Sequence, residues 1–399
     1  MRDALLSEVH LDWDLATAAT PPQVRRLFKR TVPVGIEFGT IGVLDRTNRM
    51  HEVTTFRRDV KTDGRHAVVE FGASLDEDLA RRDFTINAIA YDPIDHRLHD
   101  PFGGQVDLRL RVVRAVGEAD ARMREDRLRA LRAIRFASRF GFDIEHETWL
   151  AIVGSAPFLT RLSPERVKQE LEKTIEQVLA PSTAFARWRD AGAFAAVVPT
   201  LSQVGDDTLR AVDAAPRPDL PGKPLRKTLR LAALFSAAGG KEAERALRNL
   251  RFSNQDIANV SALVDRWTRY APRLTATLAS GSLPDDAELR RLAAGVGRMR
   301  VAAFVRLAAA CWCATGAVPS ALTRRLHRRL LTIAFGEPIE LADLALDGDD
   351  LRSAGIAAGP ALGRVLHALL QRVIEDPSLN TRDALLAVAR ERARAPESA

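Results

Sequence analysis

Residues 11–17 read LDWDLAT, two aspartates flanking a tryptophan in a run of strand-compatible residues. The pattern predicts a short strand over Leu11–Leu15. In a strand, residues i and i+2 project from one face, so Asp12 and Asp14 would present two carboxylates side by side. Like charges that close want a cation between them, and Mg2+ takes oxygen ligands of this kind while keeping waters. Taken alone, the D-x-D pair is weak evidence, and a solvated strand end is the better fit.

Working outward, Thr20-Pro21-Pro22 predicts a helix start, with Thr20 as N-cap and proline at the first helical position, followed by PQVRRLFKR. IEFGTIGVLD and MHEVTTFR, separated by the turn-like Arg46-Thr47-Asn48-Arg49, predict an antiparallel hairpin. Glu52 lies on its second arm. Two acids on one strand and a third on another make a two-metal phosphoryl-transfer site conceivable, the ions activating an attacking oxygen and stabilising a leaving pyrophosphate. RRDVKTDGRHAVVEF, from Arg57 to Phe71, is polar, charged and glycine-bearing, and reads as a mobile loop.

Beyond about residue 118 nearly every segment has helical periodicity, so the chain reads as an α+β head on an all-helical remainder. ARMREDRLRALRAIRFASRFGF has apolar residues at Leu128, Leu131, Ile134 and Phe136 and ends its helical period at Gly141. LSPERVKQELEKTIEQVL reads as a helix with Ser163 as N-cap, and 216–224, PRPDLPGKP, as a linker. Amphipathic helices follow, interrupted at Gly281–Pro284 and Phe335–Pro338.

At 399 residues, with 46% hydrophobic residues, the chain has material for two to four compact units. It contains no run of 18 apolar residues, and the first twenty lack a greasy stretch, which makes the cytoplasm the expected location and a membrane partner unexpected. Net charge is +7, carried mostly by arginine. That balance fits a polyanionic partner, and equally a GC-rich coding bias. The only cysteines, Cys311 and Cys313, lack companions for a zinc site and read as buried packing residues.

Two further clusters carry chemistry. Arg81-Arg82-Asp83 with Asn87 offers forks for phosphate and polar groups for a sugar hydroxyl, or a charged segment that merely salt-bridges. Asp126, Arg129, Arg132 and Arg135 recur every third residue, which on one helix places them along a slowly rotating stripe. An Asp–Arg pair there could face the Watson–Crick edge of a base, while a solvated basic face is the alternative.

Together these segments resemble the class II tRNA nucleotidyltransferases, the CCA-adding family, whose catalytic head is shared with bacterial poly(A) polymerases. The matching stretches, in order, are RDALLSEVHLDWDLATAATP, EFGTIGV, HEVTTFRRD, the segment through DGRHAVVEF, RRDFTINAIAYDP, DPFGGQVDL, REDRLRALRAIRFASRFGF and LSPERVKQEL. The resemblance implies a polymerase beta-like nucleotidyltransferase head with a mixed sheet over residues 1–118. It implies a helical neck over 119–212 and a helical, tRNA-binding body and tail over 225–399. It further implies that Asp12 and Asp14 bind catalytic Mg2+ with Glu52 as third acid, and that Arg2, Arg82, Arg132 and Arg135 contact the nucleotide. By the same resemblance Asp83 and Asn87 recognise ribose, and Asp126 and Arg129 read the base. The expected activity is addition of CMP and AMP, from CTP and ATP, to the 3′ end of tRNA.

The D-P-F-G-G-x-x-D segment, Asp100 to Asp107, would couple head to neck, and His99-Asp100 at its start imitates a hydrolase HD doublet. Arg57–Phe71 is long enough, by the same resemblance, for addition of the terminal A. LDGDDLRSAGIAAGPALGRVLHALLQRVIEDPSLNTRDALL resembles the tail that holds tRNA, which favours a tRNA-specific enzyme over a poly(A) polymerase. Family members also carry a strand and Gly-Gly-x-Val before Arg-Asp, where Met1 here stands in the valine's place. This predicts an in-frame Gly-Gly pair upstream of Met1; the alternative is a weakened, RNA-binding remnant with an unpaired sheet edge.

Overall fold

Ile41 and Val43, alternate residues of one strand, are nearly inaccessible, and with Val24 they form the core beneath the sheet of the N-terminal unit. The computed structural model describes residues 1–8, 13–62, 67–215, 225–356 and 359–394. These form two compact units, Met1–Gln203 and Val204–Ala399.

The first unit runs α1 (Arg2–Leu5), β1 (Leu15–Thr17), α2 (Pro21–Leu27), β2 (Thr31–Gly35), β3 (Thr40–Leu44) and β4 (Met50–Thr55). Its main sheet has the order β1-β4-β3-β2. β3 pairs antiparallel with β2 and β4, while β1 adds parallel to β4 with Leu15 opposite Val53, so the sheet is mixed. α2 starts as its sequence dictates, with Pro21 first and the backbone N–H of Thr20 donating to Gln23 Oε1 at 2.8 Å. The β3–β4 hairpin turns at Asn48, whose φ of 66° is a left-handed value asparagine tolerates.

Two expectations change here. Among the described residues the first strand spans Leu15–Thr17, running two residues past the expected end at Leu15, because β4 continues to Thr55 and the ladder closes with Phe56 N–H donating to the Thr17 carbonyl at 2.8 Å; Leu11 and Asp12 lie outside the described residues. Arg57–Phe71 is not a loop: β5 (Arg57–Thr62) and β6 (Ala67–Phe71) make an antiparallel two-stranded ribbon, its tip outside the described residues. Backbone pairing of the AVVEF arm supplies the order that the polar composition concealed.

α3 (Leu75–Ala80), β7 (Ala90–Asp92), β8 (Arg97–His99) and α4 (Gly104–Leu110) complete the α+β part. Asp100 accepts from the N–H groups of Gly104 and Gln105 at 2.7 and 2.9 Å, which turns the chain into α4. A Cβ on Gly104 would lie 2.2 Å from the Thr85 carbonyl, so only glycine lets α4 approach that turn. Buried Asp107 then accepts from Thr85 Oγ1 at 2.7 Å and pairs with Arg114. The D-P-F-G-G-x-x-D segment thus ties the turn at residues 85–87 to the chain leading into the helices.

Those helices are α5 (Ala119–Glu125), α6 (Leu128–Phe140), α7 (His146–Ser155), α8 (Pro164–Gln177), α9 (Pro181–Asp190) and α10 (Ala193–Val197). α6 packs on α8 and α9. α8 begins at Pro164 after Ser163, as its sequence predicts.

The second unit is helical throughout its described residues, from α11 (Asp206–Ala214) and α12 (Leu225–Leu234) to α20 (Arg382–Arg394). The predicted linker, 216–224, lies outside the described residues. The helix breaks fall where expected, one helix ending at Ala279 before Asp286 opens the next and another ending at Gly336. Pro360–Glu375 is the predicted amphipathic helix of the tail. Cys311 is buried, its thiol pushed up to about 12 by burial, but Cys313 is exposed. Two residues of a helix turn through about 200°, which sends the second cysteine to solvent. Among the described residues no helix is long and apolar enough to cross a membrane.

Candidate active site

Asp14 immediately precedes β1, and continuing the Leu15–Val53 register by one residue sets it beside Glu52 on β4. Both are exposed. Asp12 lies outside the described residues; what the described part adds is a neighbour for Asp14, Glu52, across two chain segments.

The opening residues are tied to α6. Arg2 donates to Asp3 Oδ1 at 2.6 Å and to Asn87 Oδ1 at 2.5 Å, and its guanidinium lies 4.7 and 4.9 Å from the ring centroids of Phe136 and Phe140. Arg139 on α6 donates to Glu8 at 2.8 Å. Arg2 and Asn87, far apart in sequence, are therefore direct partners.

Asp83 is the hub of the next layer. It is buried and accepts from Phe84 N–H at 2.9 Å, Asn87 Nδ2 at 2.8 Å and Arg132 Nε at 2.9 Å. Burial pushes its pKa up, but Arg132 and the Asn87 amide outweigh that and hold the carboxyl below its ordinary value. A depressed folded pKa contributes stability above the unfolded value near 3.8, lost as pH falls through the folded one. Arg82 donates to buried Asp78 at 3.1 Å, and its buried Nε has no hydrogen-bond partner among the described residues. Asp78 also receives Arg81 at 2.7 Å. Nothing in the acidic run LDEDLA singled out Asp78 beforehand, since three consecutive acids compete for the role.

Asp126 is not on a helix. α5 stops at Glu125, Asp126 is extended at φ −148° and ψ 106°, and α6 begins at Leu128. Its side chain explains the break: Oδ1 accepts from Leu128 N–H at 3.0 Å, an aspartate competing with the helix for a backbone donor. Oδ2 accepts from Arg166 of α8 at 2.6 Å. Arg129 donates to Glu125 at 2.6 Å and to the carbonyls of Arg122 and Arg81 at 3.1 and 3.0 Å. Asp126 and Arg129 thus flank a helix break, held in part by Arg166 and the Arg81 carbonyl, partners that helical spacing did not reveal.

Arg135 departs from the expected stripe. It is buried and bonded to Glu170 at 2.6 Å and to Gln177 at 3.3 Å, inside the α6–α8 packing. Arg132 and Arg135 are three residues apart on a helix of 3.6 per turn, about 60° off alignment, enough to send one toward Asp83 and the other toward α8. His99 pairs with Asp76, and among the described residues no three histidine, cysteine or acidic side chains converge on a possible metal position.

Three family models cover the chain: a poly A polymerase head domain over residues 1–114, a probable RNA and SrmB-binding site of polymerase A over 141–204, and a putative tRNA nucleotidyltransferase domain 2 over 225–389. The CCA-adding enzyme of Geobacillus stearothermophilus is 35% identical, covering 100% of this chain and 92% of that protein. The chain belongs to the CCA-adding enzyme family. The CCA-adding enzyme of Lactiplantibacillus plantarum is 33% identical over 98% of this chain and 90% of its own. The crystal structure of the Bacillus stearothermophilus CCA-adding enzyme in complex with CTP superposes with a TM-score of 0.74 at 32% identity, covering 98% of this chain and 91% of that one. A Thermotoga maritima CCA-adding enzyme complexed with tRNA, 22% identical, shares the fold with a TM-score of 0.64 over 98% of this chain and 89% of its own.

CCA-adding enzymes generally use a divalent metal ion. The donors here fit one: Asp14 and Glu52 are exposed carboxylates at neighbouring register positions, hard oxygen ligands suited to a hydrated divalent cation.

If Asp126 reads the base, Asp126→Ala is expected to blur the choice between CTP and ATP more than it slows transfer. Arg166→Ala, which frees Asp126 Oδ2, is expected to shift the ratio of the two kcat/KM values by about tenfold. Nucleotide competition on one tRNA checks both; unchanged ratios would remove Asp126 from base recognition.

Proposed function

We propose that this chain adds CMP and AMP to the 3′ end of tRNA without a nucleic-acid template, in the cytoplasm, with Mg2+ as the divalent ion. The observation that carries the reading is the 35% identity to a CCA-adding enzyme along the whole chain, helical body and tail included, where a poly(A) polymerase reading needs only the shared head. The division proposed is a head over 1–118, a neck over 119–212 and a tRNA-holding body and tail over 225–399.

Asp12 and Asp14 would hold the ion, with Glu52 beside them. When bound, it supplies a Lewis acid that favours the ionised 3′-hydroxyl and offsets charge on the phosphates. The chain's own groups do the rest. Arg82 and Arg132 meet the triphosphate as charge-assisted donors, each from a partly exposed side chain anchored on an acid, Asp78 and Asp83. Asn87, held between Arg2 and Asp83, presents its amide to the ribose. Asp126 and Arg129 offer an acceptor and donors to the base edge from the helix break. Arg135 acts at one remove, fixing α6 on α8.

Incubating a tRNA that lacks its CCA end with Mg2+ and single nucleotides tests this. CTP alone is expected to add two residues, and CTP with ATP three. Long A-tails on a generic RNA would indicate a poly(A) polymerase, and no incorporation at all an RNA-binding remnant.

A further inference from the structure

The open face of the main sheet carries more than carboxylates. At one level across the strands, the pairing register places Asp14, Glu52, Gly42 and Val32 in a row. Adjacent strands lie about 4.8 Å apart, so Gly42 is about 5 Å and Val32 about 10 Å from the Glu52 backbone. Ile41 and Val43 face the opposite, core side. On the open side Val32, Val34 and Met50 are 38%, 43% and 41% exposed, with half-buried Leu44 opposite Met50. A Cβ on Gly42 would come within 2.7 Å of Met50 Sδ and 2.9 Å of Val34 Cγ2. The missing side chain lets these two close over bare backbone as one apolar pad. That pad abuts the acids, since Gly42 is the cross-strand partner of Glu52 and Met50 precedes Glu52 by two residues on the same face.

We propose that this pad seats the 3′-terminal nucleobase of the acceptor RNA. The proposal rests on the reading that Asp12, Asp14 and Glu52 gather around the 3′-hydroxyl. A nucleoside with its hydroxyl at the acids has its own base within about one strand spacing, over Gly42. Aliphatic and thioether groups offer no donor or acceptor for base readout but pack on the π-face that every base possesses. Such tolerance is what the acceptor position needs, because the terminal residue changes after each addition. The incoming nucleotide must instead be selected, which takes polar groups such as Asp126 and Arg129, and the pad has none.

The test compares, with the full chain, a tRNA ending just before CCA and the same tRNA whose terminal residue is an abasic ribose. The abasic acceptor is expected to lose about tenfold in kcat/KM, chiefly through its KM. Val34→Asp and, as an exposed change with little bearing on folding, Met50→Ala are expected to raise the KM for the intact acceptor by about three- to tenfold. The same variants leave the KM for CTP within about twofold and shrink the penalty for the missing base. Equal losses on both acceptors, or a changed CTP KM with the abasic penalty intact, would overturn the proposal. Asp14→Ala run alongside separates the two readings: activity in that variant sinks the carboxylate assignment, whereas an inert Asp14→Ala beside unaffected pad variants sinks the pad alone.

Discussion

Asp14→Ala is expected to lower CMP incorporation by about a thousandfold or more while tRNA binding stays within about twofold. The size follows from the chemistry assigned to the carboxylates: a metal-bound, ionised hydroxyl accounts for several kcal/mol of barrier, and each 1.36 kcal/mol is tenfold in rate. Selectivity for chemistry over binding follows from position. Asp14 is exposed on the flank of β1, and no hydrogen bond from its side chain is found among the described residues, so its loss removes no visible support for the fold. Binding of tRNA draws on many phosphate contacts to cationic side chains, of which a carboxylate is not one. Single-turnover incorporation of labelled CMP, filter binding and a thermal midpoint separate the three quantities. More than a tenth of the activity remaining in Asp14→Ala would remove this carboxylate from the metal site. Glu52→Ala gives an internal comparison, with a smaller loss expected from a third acid.

The parts of the fold that were legible before the structure are those where local chemistry and tertiary packing agree. Thr20-Pro21 and Ser163-Pro164 start helices by local chemistry, proline at the first helical position and, at Thr20, a capping box with Gln23, and Ile41 and Val43 alternate because one face of their strand is a core. The misreadings share one cause, hydrogen bonds that residue type and periodicity do not encode. β1 sits where β4 lets it, and the β5–β6 ribbon is ordered by its own ladder despite a polar composition. Across Asp126 the segment from Ala119 to Phe140 has no glycine or proline, so the sequence reads as one helix; the break comes from one side chain taking the Leu128 N–H and a guanidinium 40 residues on. The site was legible as residue types, and its roles are those the resemblance implies. Its wiring was not: that Arg2 would meet Asn87, or Arg132 meet Asp83, depends on the turn at residues 85–87 being drawn toward α6.

Glu170→Ala is expected to destabilise the N-terminal unit by about 3–5 kcal/mol, the largest stability effect we foresee from one substitution. Glu170 and Arg135 have side chains 1% and 4% exposed and meet at 2.6 Å, and truncating the acid leaves a buried guanidinium uncompensated. Gln177, at 3.3 Å, offers that guanidinium only a neutral acceptor. For a unit of about 200 residues, such a loss lowers the midpoint of thermal unfolding by about 6–20 °C. Removing both charges tells whether the pair or the packing matters: Arg135→Met with Glu170→Leu is expected to recover most of the stability, since apolar side chains can fill the same space without the desolvation cost. Function should then divide. The double variant keeps α6 seated and is expected to retain CTP and ATP selectivity, on the proposal that Arg135 acts through the placement of α6. If the double variant is as stable as the wild type but loses nucleotide affinity by tenfold or more, Arg135 contacts the substrate directly, and its buried pairing with Glu170 is a resting arrangement that nucleotide binding must open.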